Sequence, residues 1–204
     1  IMDLYDFWSE YIRKMHLTKN SMATLMDEYP QFERDLHSTY RLYLFAQDPQ
    51  CSQKIRFINS RFDRVDVTFS LLDSTALESL VDFQESVVSC LPKKVDLFAP
   101  LAKAELAHSL KNDICVGVYY NEELIALLTM IPNPQKKQNI MTDIPEYSSV
   151  DSTDLLVVDC ILVLEKYRGF GLQRAFFRLA EFIAEKCGIS KICCTSQHIL
   201  DTQK

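Results

Sequence analysis

Glycine is scarce here, with four in 204 residues, so each position that holds one needs a local cause. Long apolar runs are missing as well. The longest spans residues 155–164 and is broken by Asp159, far short of the roughly 18 residues a membrane helix needs. No membrane partner is expected, and the opening residues lack the charged-then-apolar pattern of a secretory signal. There is no basic stripe: the net charge is -6 and the pI near 5.2. Lys93-Lys94 and Lys136-Lys137 read as solvated loop charges, so no nucleic-acid partner is expected. Nor is there a disulfide framework. Seven cysteines at irregular spacing read as reduced thiols of a cytoplasmic protein. Cys193 and Cys194 are neighbours in a strand pattern, point to opposite faces and cannot share an ion, so no metal is expected. With Cys187 they read as buried structural thiols.

What is present, 48% hydrophobic and 25% charged residues, excludes a disordered chain and allows one good core with a helical appendage. Residues 2–47 read as helices. Leu4, Phe7, Trp8, Tyr11, Ile12 and Met15 form one apolar face, Asn20-Ser21 reads as a helix entry, Tyr29-Pro30 as a boundary, and a further helix fits 31–47. Its aromatics read as core, and His37 as a surface or core histidine. Residues 47–64 read as a connection holding one short strand, which sets the expected division: 1–63 a helical N-terminal segment, 64–204 a second domain.

From Val65 onward, strands alternate with helices. A strand holds Val65, Val67 and Phe69, and Asp73-Ser74-Thr75 caps a helix over 76–91 that Pro92 ends. A second helix fits 101–110. Strands over 114–120 and 124–130 flank the turn Asn121-Glu122-Glu123, with Gly117 marking a bulge or a close approach. After a low-periodicity stretch, 131–154, comes the strand 155–164, an amphipathic helix over 172–187 stopped by Gly188, and a short strand over 191–194.

The junction Lys166-Tyr167-Arg168-Gly169-Phe170-Gly171-Leu172-Gln173 joins that apolar strand to that helix. Glycine permits positive φ and close approach of a ligand to the backbone. A helix opening there leaves its first amides unpaired with the positive end of the helix dipole behind them, and Arg168 adds a cation. On these grounds the turn is either a phosphate cradle or an ordinary tight turn.

The order strand, helix, helix, hairpin, loop, apolar strand, Arg168-Gly169-Phe170-Gly171-Leu172-Gln173, amphipathic helix, strand resembles the GNAT superfamily of acyl-CoA-dependent N-acetyltransferases, from about Val65 to the C-terminus. The turn matches the motif Gln/Arg-x-x-Gly-x-Gly/Ala, with Gln173 where the family has a small residue. The resemblance implies an α/β fold, a mixed central sheet flanked by helices and preceded by the helical segment. It implies acetyl-CoA as co-substrate, its pyrophosphate on the backbone of Arg168, Gly169, Phe170, Gly171, Leu172 and Gln173, its pantetheine arm along Ile161, Leu162 and Val163, and Arg174 as a further phosphate contact or a solvated charge. The strand N–H near Ile161 would polarise the thioester carbonyl.

Asp159 stands where many relatives carry a carboxylate. It would accept the amine's proton, or else serve as a structural carboxylate. Glu123, Asp154 and Glu165 read as solvated charges. The family's thiolate-protonating tyrosine has no counterpart after Tyr167, and His198 is a poor substitute. The expectation is a fragment or truncated member lacking the last third of the domain, whose last strand, if it were an end, would expose an edge and recruit a partner, a homodimer included. The expected function is acetyl transfer to a primary amine of a small molecule or peptide. Polyamines, aminoglycosides and lysine-bearing peptides suit the acidic balance. The alternative is a GNAT-like CoA-binding sensor or interaction domain without turnover.

Overall fold

The structure, a computed structural model, describes residues 1–14, 31–50, 53–91, 100–132, 134 and 154–194. The readings at Asn20-Ser21, Tyr29-Pro30, Pro92 and His198, and most of the stretch 131–154, lie outside these residues.

Six strands form one mixed sheet in chain order: β1 (Lys54–Ile58), β2 (Arg64–Leu71), β3 (Ile114–Tyr120), β4 (Glu123–Ile131), β5 (Leu155–Val163) and β6 (Lys191–Cys194). All neighbouring pairs are antiparallel except β5 and β6, which are parallel. The expected α/β architecture, a mixed sheet with flanking helices, is present. The helices are α1 (Leu4–Lys14), α2 (Gln31–Gln47), α3 (Leu77–Ser89), α4 (Lys103–Asn112) and α5 (Leu172–Cys187). A parallel neighbour requires a crossover connection, and α5 supplies it between β5 and β6.

Asp73 caps the turn leading into α3 by accepting from the Thr75 amide at 2.9 Å. The β3–β4 connection is a two-residue turn, Asn121-Glu122, with φ of 48° and 68°. That is the left-handed pair whose twist matches a hairpin. Between α3 and α4, the buried Gln84 amide bonds both the N–H and the C=O of Leu101, each at 2.9 Å, and pins the entry to α4.

The N-terminal segment is built into this core. Phe7 is buried against Tyr40 and Tyr43 of α2 and Phe182 of α5, with ring centroids 5.1, 5.1 and 6.0 Å away. Phe69 of β2 meets Phe45 of α2 and Phe176 of α5, each at 6.0 Å. Lys186 of α5 donates to the carbonyls of Ala46 and Gln47, satisfying orphan groups at the end of α2. β1 lies before the expected division at 63/64 yet is the edge strand of the same sheet, so the residues ahead of 64 contribute a strand as well as helices. Its exposed edge is blunted by α2: Arg41 donates to the carbonyl of Lys54 and Ser38 to that of Arg56.

One group of residues reverses its expectation. Cys193 is buried, but Cys187 and Cys194 are exposed free thiols. Cys187 ends its helix beside the exposed Gly188, and Cys194 takes the opposite face of β6 from Cys193.

Gly117 marks a close approach, and the neighbouring irregularity of the β3–β4 pairing falls one step along, between Val118 and Tyr119. A Cβ at Gly117 would lie 2.8 Å from Leu72 Cδ2 and 2.9 Å from Leu124 Cδ1, both on buried side chains. Gly117→Val is therefore expected to cost about 1–3 kcal/mol by overpacking, read as a lower denaturant midpoint at unchanged slope. An unchanged midpoint would contradict the packing described.

Candidate functional site

β5 changes character halfway along. Residues 155–158 are buried and pair with β6, and Val157 and Val158 also pair with β4 on the other side. At Asp159 the β4 ladder skips a residue, Met130 facing Val158 and Thr129 facing Cys160, and the parallel pairing with β6 ends at Val158 opposite Cys194. A bulge bends its strand and raises its twist. Beyond it, residues 159–163 keep β4 as a partner, have no strand on the other edge among the described residues, and are only half-buried. Such an edge offers backbone donors and acceptors to an extended ligand.

The edge leads straight into the glycine turn. Leu164 N–H bonds the Ile125 carbonyl at 3.0 Å, and a single 3₁₀ turn, Glu165–Tyr167, follows. Gly169 and Gly171 then take φ of 84° and 83°. Cβ atoms at these positions would meet nothing within 4 Å, so glycine is required by conformation, and the space before the backbone is open. Gly171 is the N-cap of α5, and the first helical bond runs from Ala175 N–H to its carbonyl at 3.0 Å. The amides of Leu172, Gln173 and Arg174 precede that ladder.

Side chains hold the turn rigid from behind. Tyr167 and Phe170 are buried. Lys166 Nζ lies 2.9 Å from both carboxylate oxygens of Glu123, and the Tyr167 hydroxyl donates to Glu123 at 3.3 Å. Tyr120 packs edge-on against the Tyr167 ring at 5.7 Å. Hydrogen bonding to Glu123 raises the Lys166 pKa, while burial first, and then the Glu123 charge, raises that of Tyr167. Glu123, read from sequence as a solvated hairpin charge, is thus the fastener between the β3–β4 hairpin and the turn. Asp154, another such charge, accepts from the Ser190 amide and hydroxyl, and these bonds hold its pKa low.

Edge and turn enclose a cavity of about 750 Å³. Ile161, Leu162 and Val163 form one wall, and Arg168, Gly169 and Gly171 close one end. Leu172, Gln173 and Arg174 line it from α5. The Phe170 ring packs in the core, which leaves its expected contact to the backbone amide. The remaining wall went unread in the sequence. It comes from Val87 and Leu91 at the end of α3 and Phe177 of α5, whose helical spacing looks the same whether a residue faces core or ligand.

Asp159 and Cys160 lie just beyond the lining residues, at the bulge. The half-buried Cys160 thiol is pushed up to about 12 by burial, by the Asp159 charge and by Cys115. It stays a thiol at neutral pH and is no nucleophile. Among the described residues no group of three or more His, Cys, Asp or Glu is placed to hold a metal, and no helix is long and apolar enough to cross a membrane.

Among the described residues, a strand edge with no further partner runs into a turn with two glycines at positive φ that opens α5, and edge and turn line one cleft. No family model matches the sequence, and no curated protein does. Solved structures do align with the fold. The ribosomal-protein-alanine N-acetyltransferase from Brucella melitensis biovar Abortus 2308 aligns over 66% of this chain and 84% of its own at 16% identity and a TM-score of 0.46. The GNAT domain of S. lividans PAT aligns over 69% and 77% at 18% identity and a TM-score of 0.48. The aminoglycoside N-acetyltransferase AAC(6')-Iy, in complex with CoA, aligns over 64% and 77% at 11% identity and a TM-score of 0.46. These values mark a distant likeness of architecture.

The state of Cys160 can be checked directly. In the folded protein it should resist alkylation at mildly alkaline pH while the exposed Cys194 reacts, as read by peptide mass mapping. Its pKa rises on folding from 9.0 to about 12, so the native state holds the proton that the unfolded chain releases. Stability contributed by the protonated thiol is full below pH 9.0 and falls as pH rises towards about 12. The Cys160→Ala variant should lose that slope.

Proposed function

We propose that the cleft binds acetyl-CoA and that the chain is an N-acetyltransferase of GNAT type, passing the acetyl group to a primary amine by direct attack. The observation that carries this reading is the run of strand edge, residues 161–163, with no partner away from β4 among the described residues, into a turn whose two glycines face open space at the mouth of a helix. The donors fit the ligand. Amides from Arg168 to Gln173 suit a diphosphate, with Arg168 as its cation. Main-chain groups of Ile161, Leu162 and Val163 suit the amide-bearing pantetheine arm. The cavity size falls within the range of small-molecule sites, roughly 300–1,000 Å³.

Transfer needs a neutral amine, a polarised carbonyl and a proton for the departing thiolate. The strand N–H near Ile161 is the carbonyl donor in this reading. Asp159, two residues before the first strand residue that lines the cleft and carried on the bulge, accepts the amine's proton directly or through water; as the C–N bond forms the thioester C–S bond breaks, and the departing thiolate takes its proton from solvent. The protonated Cys160 argues for direct transfer over an acyl-enzyme on that thiol. A CoA-binding domain without turnover is the second reading, and one observation favours it: no carboxylate or histidine is among the described residues lining the cleft.

Release of free thiol from acetyl-CoA with a panel of polyamines, aminoglycosides and lysine peptides decides between the two. Thiol release that depends on an amine supports the enzyme, and CoA binding without release with any amine supports the second reading. Asp159→Asn is expected to lower turnover by roughly a hundredfold or more with CoA affinity unchanged. Equal turnover would remove Asp159 from the chemistry. For the turn, Gly171→Asp should bind CoA roughly tenfold or more weakly than Gly171→Asn. Both side chains tolerate positive φ and differ in charge, so equal affinities would mean that no phosphate sits there.

A further inference from the structure

A second groove, of about 740 Å³, opens on the other side of the same turn. It shares Gly169, Gly171 and Arg174 with the cofactor cleft, but none of the strand-edge residues 161–163. Its far wall comes from outside the acetyltransferase-like part of the chain, from α2 and β1, and that wall is basic: Arg41, Lys54 and Arg56. On a chain of net charge -6 this concentration of cations is local.

Not all of them are available. Arg56 is held by Asp66 across the β1–β2 pair in a two-pronged ion pair, at 2.7 and 2.8 Å. Arg178 reaches Glu181 at 3.4 Å and covers the Tyr11 ring at 5.5 Å. Arg41, Lys54 and Arg174 have no carboxylate within ion-pair distance among the described residues. Arg41 is oriented by donating to the Lys54 carbonyl. Arg41 and Lys54 both help depress the Asp66 pKa after its bond to Arg56, so the three cations of this wall converge on one carboxylate and outnumber it. The half-buried Phe57 adds an apolar surface between the walls.

We propose that this groove receives the 3′-phosphorylated adenosine end of CoA, with Arg41 and Lys54 facing the 3′-phosphate, so that the N-terminal segment selects CoA over its 3′-dephosphorylated form. The inference rests on the reading of the cleft as a CoA site. The geometry orders the ligand. The acyl end lies along the strand edge, the diphosphate on the turn, and whatever continues past the diphosphate enters the groove that shares the turn's glycines. An amine acceptor has no reason to bind there, because the groove is cationic and lies on the phosphate side of the turn, away from the strand edge. The 3′-phosphate is a dianion at neutral pH and suits a guanidinium and an ammonium that make no direct ion pair among the described residues and share Asp66 with Arg56 only at longer range.

Calorimetric titration of the full chain with CoA and with dephospho-CoA tests this. CoA should bind roughly tenfold to a hundredfold more tightly. Lys54→Ala and Arg41→Gln should each shrink that preference, chiefly by weakening CoA and with little change for dephospho-CoA. Lys54 is exposed on an edge strand, so its variant tests the idea even if loss of Arg41 loosens β1. Adenosine 3′,5′-bisphosphate should compete with CoA better than adenosine 5′-diphosphate does. Equal affinity of the wild-type chain for CoA and dephospho-CoA overturns the proposal and leaves the cleft's reading intact. Failure of both to bind removes the reading itself and the proposal with it.

Discussion

The bulge at Asp159 is the constraint on which the rest of the site depends. A strand buried on both faces and paired on both edges has no backbone to spare for a ligand. Val157 and Val158 of β5 are paired in this way, residues 159–163 have no partner on the edge away from β4 among the described residues, and the ladder slips at the change. The slip leaves the first half to hold the sheet together through β4 and β6. The second half, still tied to β4, turns its other edge to the cleft. Without the bulge the strand would have to be either core or binding edge throughout. Asp159 sits at the first place along β5 where a carboxylate escapes full burial, since it is half-buried where its four predecessors are buried.

In the proposed reading, the strand edge serves only if the turn that follows is held at a fixed distance from it. The turn is over-determined for that purpose. Its conformation needs positive φ twice, its aromatic residues point inward, and Glu123 is bonded to both Lys166 and Tyr167. The exposed Lys166–Glu123 pair adds little to global stability. Its value is positional: it joins the hairpin at the start of β4 to the loop after β5, and so helps to set the angle at which α5 presents its first amides.

Much of this was legible in the sequence, for identifiable reasons. α2, β3, α5 and β6 lie where periodicity and punctuation put them, because glycine, capping residues and the change from a period of two to 3.6 are local signals. The turn was legible because so few glycines are used. What stayed hidden was set by pairing across the chain. β1 is short and charged, and its place in the sheet depends on β2 through Arg56 and Asp66 and on α2 through Arg41 and Ser38. Val87 was counted as core on its helical spacing and is indeed buried, yet it also backs the cleft. Cys187 continued the apolar stripe of α5 in sequence, but it ends the helix, and spacing alone does not tell where the covering sheet stops.

The N-terminal segment is where local reading was weakest and where the packing adds most. Phe7, Tyr43 and Phe182 cross-brace α1, α2 and α5, and Lys186 caps α2 from α5, so the helix that the glycine turn opens is clamped on its far side by α1 and α2. α5 therefore has two supports: the sheet beneath it, and the N-terminal helices beside it. The same clamp carries β1 into the sheet as its edge strand and places α2 and β1 across from the opening turn of α5, which makes the second, basic groove. An appendage with only a stabilising role would need the apolar contacts and the helix cap. It would not need Arg41 and Lys54 opposite Arg174 with only Asp66, already bonded to Arg56, to share between them, because like charges in excess repel. Their presence on the wall that faces the turn is what an anionic ligand would offset.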